Sequence, residues 1–459
     1  MFSKETYINR RNQLKKAIGS GILLFLGNDE SGMNYEDNTY PFRQDSTFLY
    51  FFGLPYAGLA AVININIDED KEIIFGDELT IDQIVWMGTQ PTLKEKSVRI
   101  GVANIQPYSS LGDYLSKAAA KGQKVHYLPT YRAEHKLRLM NWTGLKPAQQ
   151  EASLPFIQGV VNQRIYKSEE EIAEIEKACD ITADMHITAI KKVRVGMKEY
   201  EVMAALEEVA YAAGGRLSFP TIATVNGQTL HNHYHGNTVK EGDMFLIDAG
   251  AETEMGYAGD MSSTIPAGKK FSSRQKDVYD IQVASHIASV EALRPGIPFR
   301  EVYELSAKVI CEGMKSLGLM KGDMDEAVQA GAHAMFFQCG LGHMMGLDVH
   351  DMENLGEVWV GYNGEPKSTQ FGRKSLRLGR KLEPGFVLTI EPGIYFIPEL
   401  IDLWKGEKKF EEFINYDKLE AYRDFGGLRN EEDFLITETG SRRLGKKIPL
   451  TTEEVEALR

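Results

Sequence analysis

Along the first 150 or so residues, short apolar runs alternate with amphipathic stretches. "GILLFLG" (21–27), "LAAVININI" (59–67), "KEIIFG" (71–76) and "KVHYLP" (124–129) are bounded by Gly, Pro or charge, the pattern of buried strands. Between them, "KETYINRRNQLKKAI" (4–18) and "LGDYLSKAAAKG" (111–122) carry helical spacing. Strands alternating with helices predict an α/β domain.

Near residue 165 the texture changes. "KSEEEIAEIEKACDITADMHITAIKKV" (167–193) predicts one long amphipathic helix, started by a capping box of Ser168 and Glu171. Its apolar face is marked by Ile172, Ile175, Cys179 and Met185. The boundary is therefore expected just before it, giving an N-terminal domain of residues 1–164 and a C-terminal domain of residues 165–459.

The C-terminal part contains an internal echo. "EGDMFLIDAG" (241–250) and "PGFVLTIEPG" (384–393) share a layout: a turn Gly, an apolar strand, a carboxylate six residues after that Gly, and another Gly two residues later. Asp248 and Glu391 occupy equivalent positions, 143 residues apart. Each half then supplies a second acidic strand, "YAGDMSSTI" with Asp260 and "GGLRNEEDFLIT" with Glu431 or Glu432. Two related halves predict an α+β domain with a pseudo-twofold axis and a site at its centre.

Asp is depleted in strands because its short carboxylate competes for backbone hydrogen bonds and is costly to bury. Four carboxylates on facing strands repel unless some stay protonated or cations sit among them. Two divalent ions would formally balance four such charges. Histidines supply neutral donors nearby: His343 and His350 lie in "GLGHMMGLDVHD", and His231, His233 and His235 in "LHNHYHGN". Each element has a plainer reading by itself. Asp248 suits a strand end, His343 a satisfied core position, and "EPG" a turn. Alternate histidines on a strand share a face, so "HNHYH" is a rival zinc site. The ordered set of Asp, eleven residues, Asp, then Gly-x-Gly-His, Thr-x-Glu-Pro-Gly and Arg-x-Glu is poorly explained by coincidence.

Composition narrows the picture without changing it. The 459 residues are 43% hydrophobic and 25% charged, an ordinary globular mix with room for two domains. A net charge of −13 disfavours a nucleic-acid partner. The three cysteines have no CxxC spacing, no signal-peptide pattern opens the sequence, and no apolar run is long enough to span a bilayer. A cytoplasmic protein with no membrane partner is expected.

Those motifs carry a resemblance. "LIDAGAE", "GYAGDMSSTIP", "GLGHMMGLDVHD", "LTIEPGIYF" and "GGLRNEEDFLITETG" stand in the order of the pita-bread metallopeptidases, so residues 165–445 resemble that family. "YPFRQDSTFLYFFGL" (40–54) is similar to the N-terminal domain of its aminopeptidase P and prolidase branch. The resemblance implies that Asp248, Asp260, His343, Glu391 and Glu431 ligate two metal ions, with Asp260 and Glu431 bridging. Glu431 is preferred to Glu432 because the family's ligand stands two residues after Arg429. The family has an aliphatic residue where this chain has Asn430. His231 and His350 match the substrate-side histidines, and Glu391 would also carry a proton. Arg377 and Arg429 are expected on the substrate side, Arg377 where prolidases hold the carboxylate of proline. An oxygen-rich set with one imidazole suits Mn²⁺, with Co²⁺ or Zn²⁺ as alternatives. The implied activity is hydrolysis of the bond between an N-terminal residue and proline in short peptides, as an Xaa-Pro dipeptidase in preference to an Xaa-Pro aminopeptidase. A homodimer is implied. Relatives that act only as binding modules, and those that hydrolyse without metals, are disfavoured because the ligand positions are intact here.

Overall fold

The computed structural model describes residues 1–67 and 71–459. Contacts divide the chain into two units, Met1–Arg164 with Met352–Trp359, and Ile165–Asp351 with Val360–Arg459. The short stretch 352–359 groups with the first unit although nothing in its sequence sets it apart.

In the first unit, β1 (Ile22–Leu26), β2 (Ala60–Asn64), β3 (Glu72–Phe75), β4 (Asn104–Gln106) and β5 (Val125–His126) form one sheet in the order β4-β3-β2-β1-β5. The β1–β2 and β2–β3 pairs are antiparallel, and β1–β5 and β3–β4 are parallel. Strand alternation gives both faces a core. Ile22, Leu24, Val62, Ile73 and Phe75 pack with Leu111, Leu115 and Leu139 of the helices Leu111–Ala120 and Ala133–Thr143. On the opposite face, Phe25 meets the rings of Phe51, Phe52 and Phe156 at 5.1–5.3 Å. The helix Lys4–Ile18 covers the expected stretch, with Ser3 as its cap. The strand expected in "KVHYLP" is only two residues long.

The second unit opens with the helix Glu169–Lys192, whose Ser168–Glu171 capping box is formed. Ile175, Cys179 and Met185 are buried as expected, whereas Ile172 is half-buried. Glu171 is buried instead, its carboxylate accepting the Tyr257 hydroxyl at 3.0 Å and the Ser168 amide at 3.1 Å. A short pair, β6 (Arg216–Leu217) with β9 (Ala251–Glu252), flanks the first half of this unit.

Two three-stranded antiparallel sheets build the centre. One contains β7 (Ile222–Thr224), β8 (Met244–Ala249) and β10 (Met261–Pro266) in the order β10-β8-β7. The other contains β11 (Val387–Ile390), β14 (Glu432–Ile436) and β15 (Ser441–Arg443) in the order β11-β14-β15. Between these, β12 (Gly393–Tyr395) pairs with β13 (Gly427–Arg429). The halves are joined at a bridge between Ser262 and Glu431, where the Glu431 amide donates to the Ser262 carbonyl at 3.0 Å.

Candidate metal centre

Each expected carboxylate sits at or beside a strand end. Asp248 is the penultimate residue of β8, Asp260 immediately precedes β10, Glu391 immediately follows β11, and Glu431 immediately precedes β14. Asp248 is still paired, with Ser262 on one side and Ile222 on the other, and Glu431 bridges Ser262, so the ladder itself fixes where these two carboxylates point. Gly250 explains the glycines around the first pair: a Cβ there would lie 2.0 Å from the Gly259 carbonyl oxygen. The loops before and after β9 can cross so closely only without side chains.

Asp260, His343 and Glu431 form the nucleus. One ligand atom from each lies within 4.8 Å of the others, and all three residues are buried. His343 Nε2 is 3.3 Å from Asp260 Oδ2 and 3.8 Å from Glu391 Oε1. Its Nδ1 donates to the Met344 carbonyl at 3.1 Å, which leaves the Nε2 lone pair facing the carboxylates. Burial lowers the His343 pKa, keeping the imidazole in the neutral, ligating form.

The carboxylates are compensated unequally. Asp248 receives an Arg429 nitrogen at 2.5 Å. Asp260 and Glu431 are 4% and 2% exposed, and Asp260 Oδ1 and Glu431 Oε1 are buried with no hydrogen-bond partner. Burial, and then the charges of neighbouring carboxylates, push both groups well above the usual carboxylate range. Bare buried carboxylate oxygens beside an unprotonated imidazole nitrogen are what a hard or borderline divalent cation requires. The donor set fits such an ion.

Around this nucleus lies a cavity of about 290 Å³. Asp248, Asp260, His343, Glu391, Glu431, His231, His350, Arg377 and Arg429 all line it. The His350 ring centroid is 4.4 Å from that of His343, at an interplanar angle of 72°. His231 has its pKa lowered by burial and then by Arg429, so it stands as a neutral imidazole near pH 7. His233 also lines the cavity, whereas His235 Nδ1 lies 3.3 Å from the Ala223 carbonyl oxygen. Three alternate histidines therefore do not converge on one point.

Arg429, expected to touch substrate, is engaged within the wall. It donates from Nε to Ser262 at 2.9 Å, from one terminal nitrogen to Tyr395 at 2.7 Å, and from the other to Asp248. These bonds orient Asp248, while Arg429 also lines the cavity on the side where substrate is expected. Ser262 in turn donates to Glu431 Oε2 at 2.8 Å. Sequence reasoning missed Ser262, Tyr395 and Asp433. Ser262 had a signal, standing two residues after Asp260 at strand spacing. Asp433 accepts the Asp260 amide and the Cys179 thiol, both at 3.1 Å, and nothing local announces that. Glu432 turns the other way, towards His286 at 3.8 Å and Arg443 at 3.6 Å. Asn430 points away from the cavity and is fully used: it donates to Gln282 at 2.6 Å and accepts from Tyr279 at 3.1 Å and the Thr264 amide at 3.2 Å.

Residues 173–438 match metallopeptidase family M24, and residues 7–127 match the aminopeptidase P N-terminal domain. The chain belongs to metallopeptidase family M24. Human Xaa-Pro dipeptidase is 31% identical across 96% of this chain and 89% of its own length. The Xaa-Pro aminopeptidase of Escherichia coli K12 is 32% identical across 99% of this chain and 98% of its own. Among solved structures, the Pseudomonas aeruginosa aminopeptidase PepP superposes with a TM-score of 0.82 at 27% identity, covering 100% of this chain and 98% of that one. The fold is therefore the α/β domain and pita-bread domain of this M24 branch, and the chain is a metallopeptidase. Family M24 implies divalent metal ions, which the buried Asp260–His343–Glu431 cluster fits. No described helix is long and apolar enough to cross a membrane.

Proposed function

We propose that this M24 peptidase is an Xaa-Pro dipeptidase that works with two Mn²⁺ ions. The observation carrying the choice is Arg377 on the wall of the same cavity as the carboxylates and histidines. A dipeptide presents its proline carboxylate close to the scissile bond, and a guanidinium is suited to hold it through paired hydrogen bonds. The cavity volume, about 290 Å³, falls just below the ~300–1,000 Å³ range of small-ligand sites, which favours a short substrate.

Asp248, Asp260, His343, Glu391 and Glu431 would hold the ions. When bound, two divalent ions polarise the scissile carbonyl and supply a nucleophile from water at neutral pH. The remaining steps belong to the chain. His350 and His231 present N–H donors to the oxygen that gains charge in the transition state, where fixed dipoles contribute most. The Glu391 carboxylate takes the proton released by the attacking water and returns it to the proline nitrogen as the bond breaks. Arg377 fixes the carboxylate end, and Arg429 keeps Asp248 oriented.

A second reading, Xaa-Pro aminopeptidase, has its own support. The E. coli aminopeptidase is matched over 98% of its length, against 89% for the human dipeptidase. Initial rates on Ala-Pro and Ala-Pro-Ala after reloading with Mn²⁺ separate the two. Cleavage confined to Ala-Pro, with KM raised in Arg377→Met, supports the dipeptidase. Faster turnover of Ala-Pro-Ala by parent and variant alike would replace it with the aminopeptidase.

We also propose a cytoplasmic homodimer. Cys179, Cys311 and Cys339 are all unpaired, as suits a reducing compartment. The helix Ile81–Met87 has no buried residue and leaves Trp86 87% exposed, an apolar face suited to self-association. Sedimentation equilibrium of the parent and of Trp86→Glu tests the dimer, which the variant should weaken.

A further inference from the structure

The segment 343–351 carries His343 at one end and His350 near the other, and its two ends are held differently. The His343 end is stitched to β11: Thr389 N–H donates to the His343 carbonyl and Met345 N–H to the Val387 carbonyl, both at 3.0 Å, and Met344 bridges Leu388. The far end doubles back, with Asp351 N–H donating to the Met344 carbonyl at 2.9 Å. Its side-chain anchor is an ion pair. Lys167 Nζ lies 2.7 Å from Asp351 Oδ2, and both side chains are only 1% exposed.

Burying two charges costs several kcal/mol per ion before their attraction offsets it, so such a pair is weak evidence for stability. Fixing a geometry is the better reason for this one. The pair is pressed onto the turn of the segment: a Cβ on Gly346 would lie 2.8 Å from Asp351 Oδ2 and 2.9 Å from Lys167 Cε. Asp351 immediately follows His350, so the position of its carboxylate sets the backbone from which the imidazole projects into the cavity. Lys167 lies in the short turn between the helices Leu154–Arg164 and Glu169–Lys192, and its own amide is tied to the Gly385 carbonyl at 2.9 Å. It is a fixed post rather than a mobile surface lysine.

We infer that Lys167 and Asp351 are positioning residues for His350, holding it in its catalytic pose independently of the metal ligands. The inference rests on the role proposed above for His350. Removing both charges together avoids stranding one of them, so K167M/D351N is the informative variant, with D351N alone as a second should the double variant not fold. Each is measured as Mn²⁺-loaded full chain on whichever of Ala-Pro and Ala-Pro-Ala the parent cleaves faster, with metal content determined in parallel. The expected result is a fall in kcat of about tenfold or more with KM within about twofold, the pattern of a group that acts only in the transition state. Metal content stays at the parent value, because His343 is held from β11. Added to H350A, the same substitutions cost nothing further, since groups acting as one unit are non-additive. Parental kcat in the variants, loss of metal from them, or a further loss on top of H350A would overturn the inference. Parental kcat in H350A itself would sink the His350 role, and this inference with it.

Discussion

Arg11 in the first unit and the Asp260–Glu431 pair in the second are buried charges handled in opposite ways. In the first, Arg11 is fully buried, and its guanidinium is matched by the protein: Nε to Glu72 at 2.7 Å, and its terminal nitrogens to the carbonyls of Phe51 at 2.9 Å and Ile100 at 2.7 Å. Lys15 adds a second cation to Glu72 at 2.8 Å. In the second, Asp260 and Glu431 are equally deep, yet each keeps a buried oxygen that no protein group meets. A satisfied buried charge is architecture; an unsatisfied one is an invitation to a ligand. The difference separates what holds the molecule together from what makes it react.

The strongest way to break that contrast is to remove one bare carboxylate. Asp260→Ala should lower kcat/KM by at least about 10³-fold, the scale of losing a catalytic group, and reduce bound metal. In metal-free protein the same change should raise the melting temperature, because it removes a repelled, desolvated group. Unchanged metal content and rate would show that the cluster has been misread.

The mirror experiment lies in the first unit. Glu72→Ala leaves Arg11 buried without its carboxylate and should cost about 3 kcal/mol, the lower end for breaking a buried pair because Glu72 is partly exposed. Urea unfolding reads the loss. Activity per folded molecule should stay at the parental level, and a large drop would mean that the first unit's charges are not merely architectural.

pH sharpens the comparison next. Asp260 and Glu431 are held above the usual carboxylate range by burial and then by neighbouring charge, and burial raises Asp433 to about 7. The folded, metal-free chain keeps these protons while the unfolded chain loses them near pH 4. Stability is therefore greatest below about pH 4 as far as these groups are concerned, and it falls as the pH rises towards 7. Melting temperatures of stripped protein between pH 5 and 7.5 should decline, and loading with Mn²⁺ should flatten the slope. A slope that metal leaves unchanged would count against these groups as its source.

The smallest effect concerns orientation. Ser262 accepts from Arg429 and donates to Glu431, so Ser262→Ala should weaken metal binding about tenfold, the low end for a group that orients a ligand. Competition with a chelator measures it. No change would leave Arg429 and the backbone of β13 and β14 as sufficient supports.

Much of this was legible in the chain, for identifiable reasons. The helix Glu169–Lys192 is announced by its capping box, which is a local arrangement within four residues. The strand runs of the first unit are announced by apolar blocks between breakers, because a sheet buried on both faces needs continuous apolar sequence. Ile172 stays half-buried at the margin of the inward face, where Tyr257, 86 residues away from Glu171 along the chain, gives the Glu171 carboxylate a buried partner instead. For Arg429 the resemblance implies a substrate-side place, and its spacing from Glu431 says nothing of its contacts within the wall. Its three partners come from β8, β10 and β12.

By itself the sequence determined the secondary structure, the two-part organisation and the kind of chemistry, since local propensity, capping and the spacing of acids from glycines are short-range properties. Only the tertiary structure decided which polar atoms are left bare. Hydrogen-bond satisfaction depends on partners such as Asp433 for the Asp260 amide, 173 residues apart, and Lys167 for Asp351, 184 residues apart. Asp260 and Glu431 are left open to a cation because burial removes water and the fold meets neither bare oxygen with a group of its own, and that balance exists only once the strands have met.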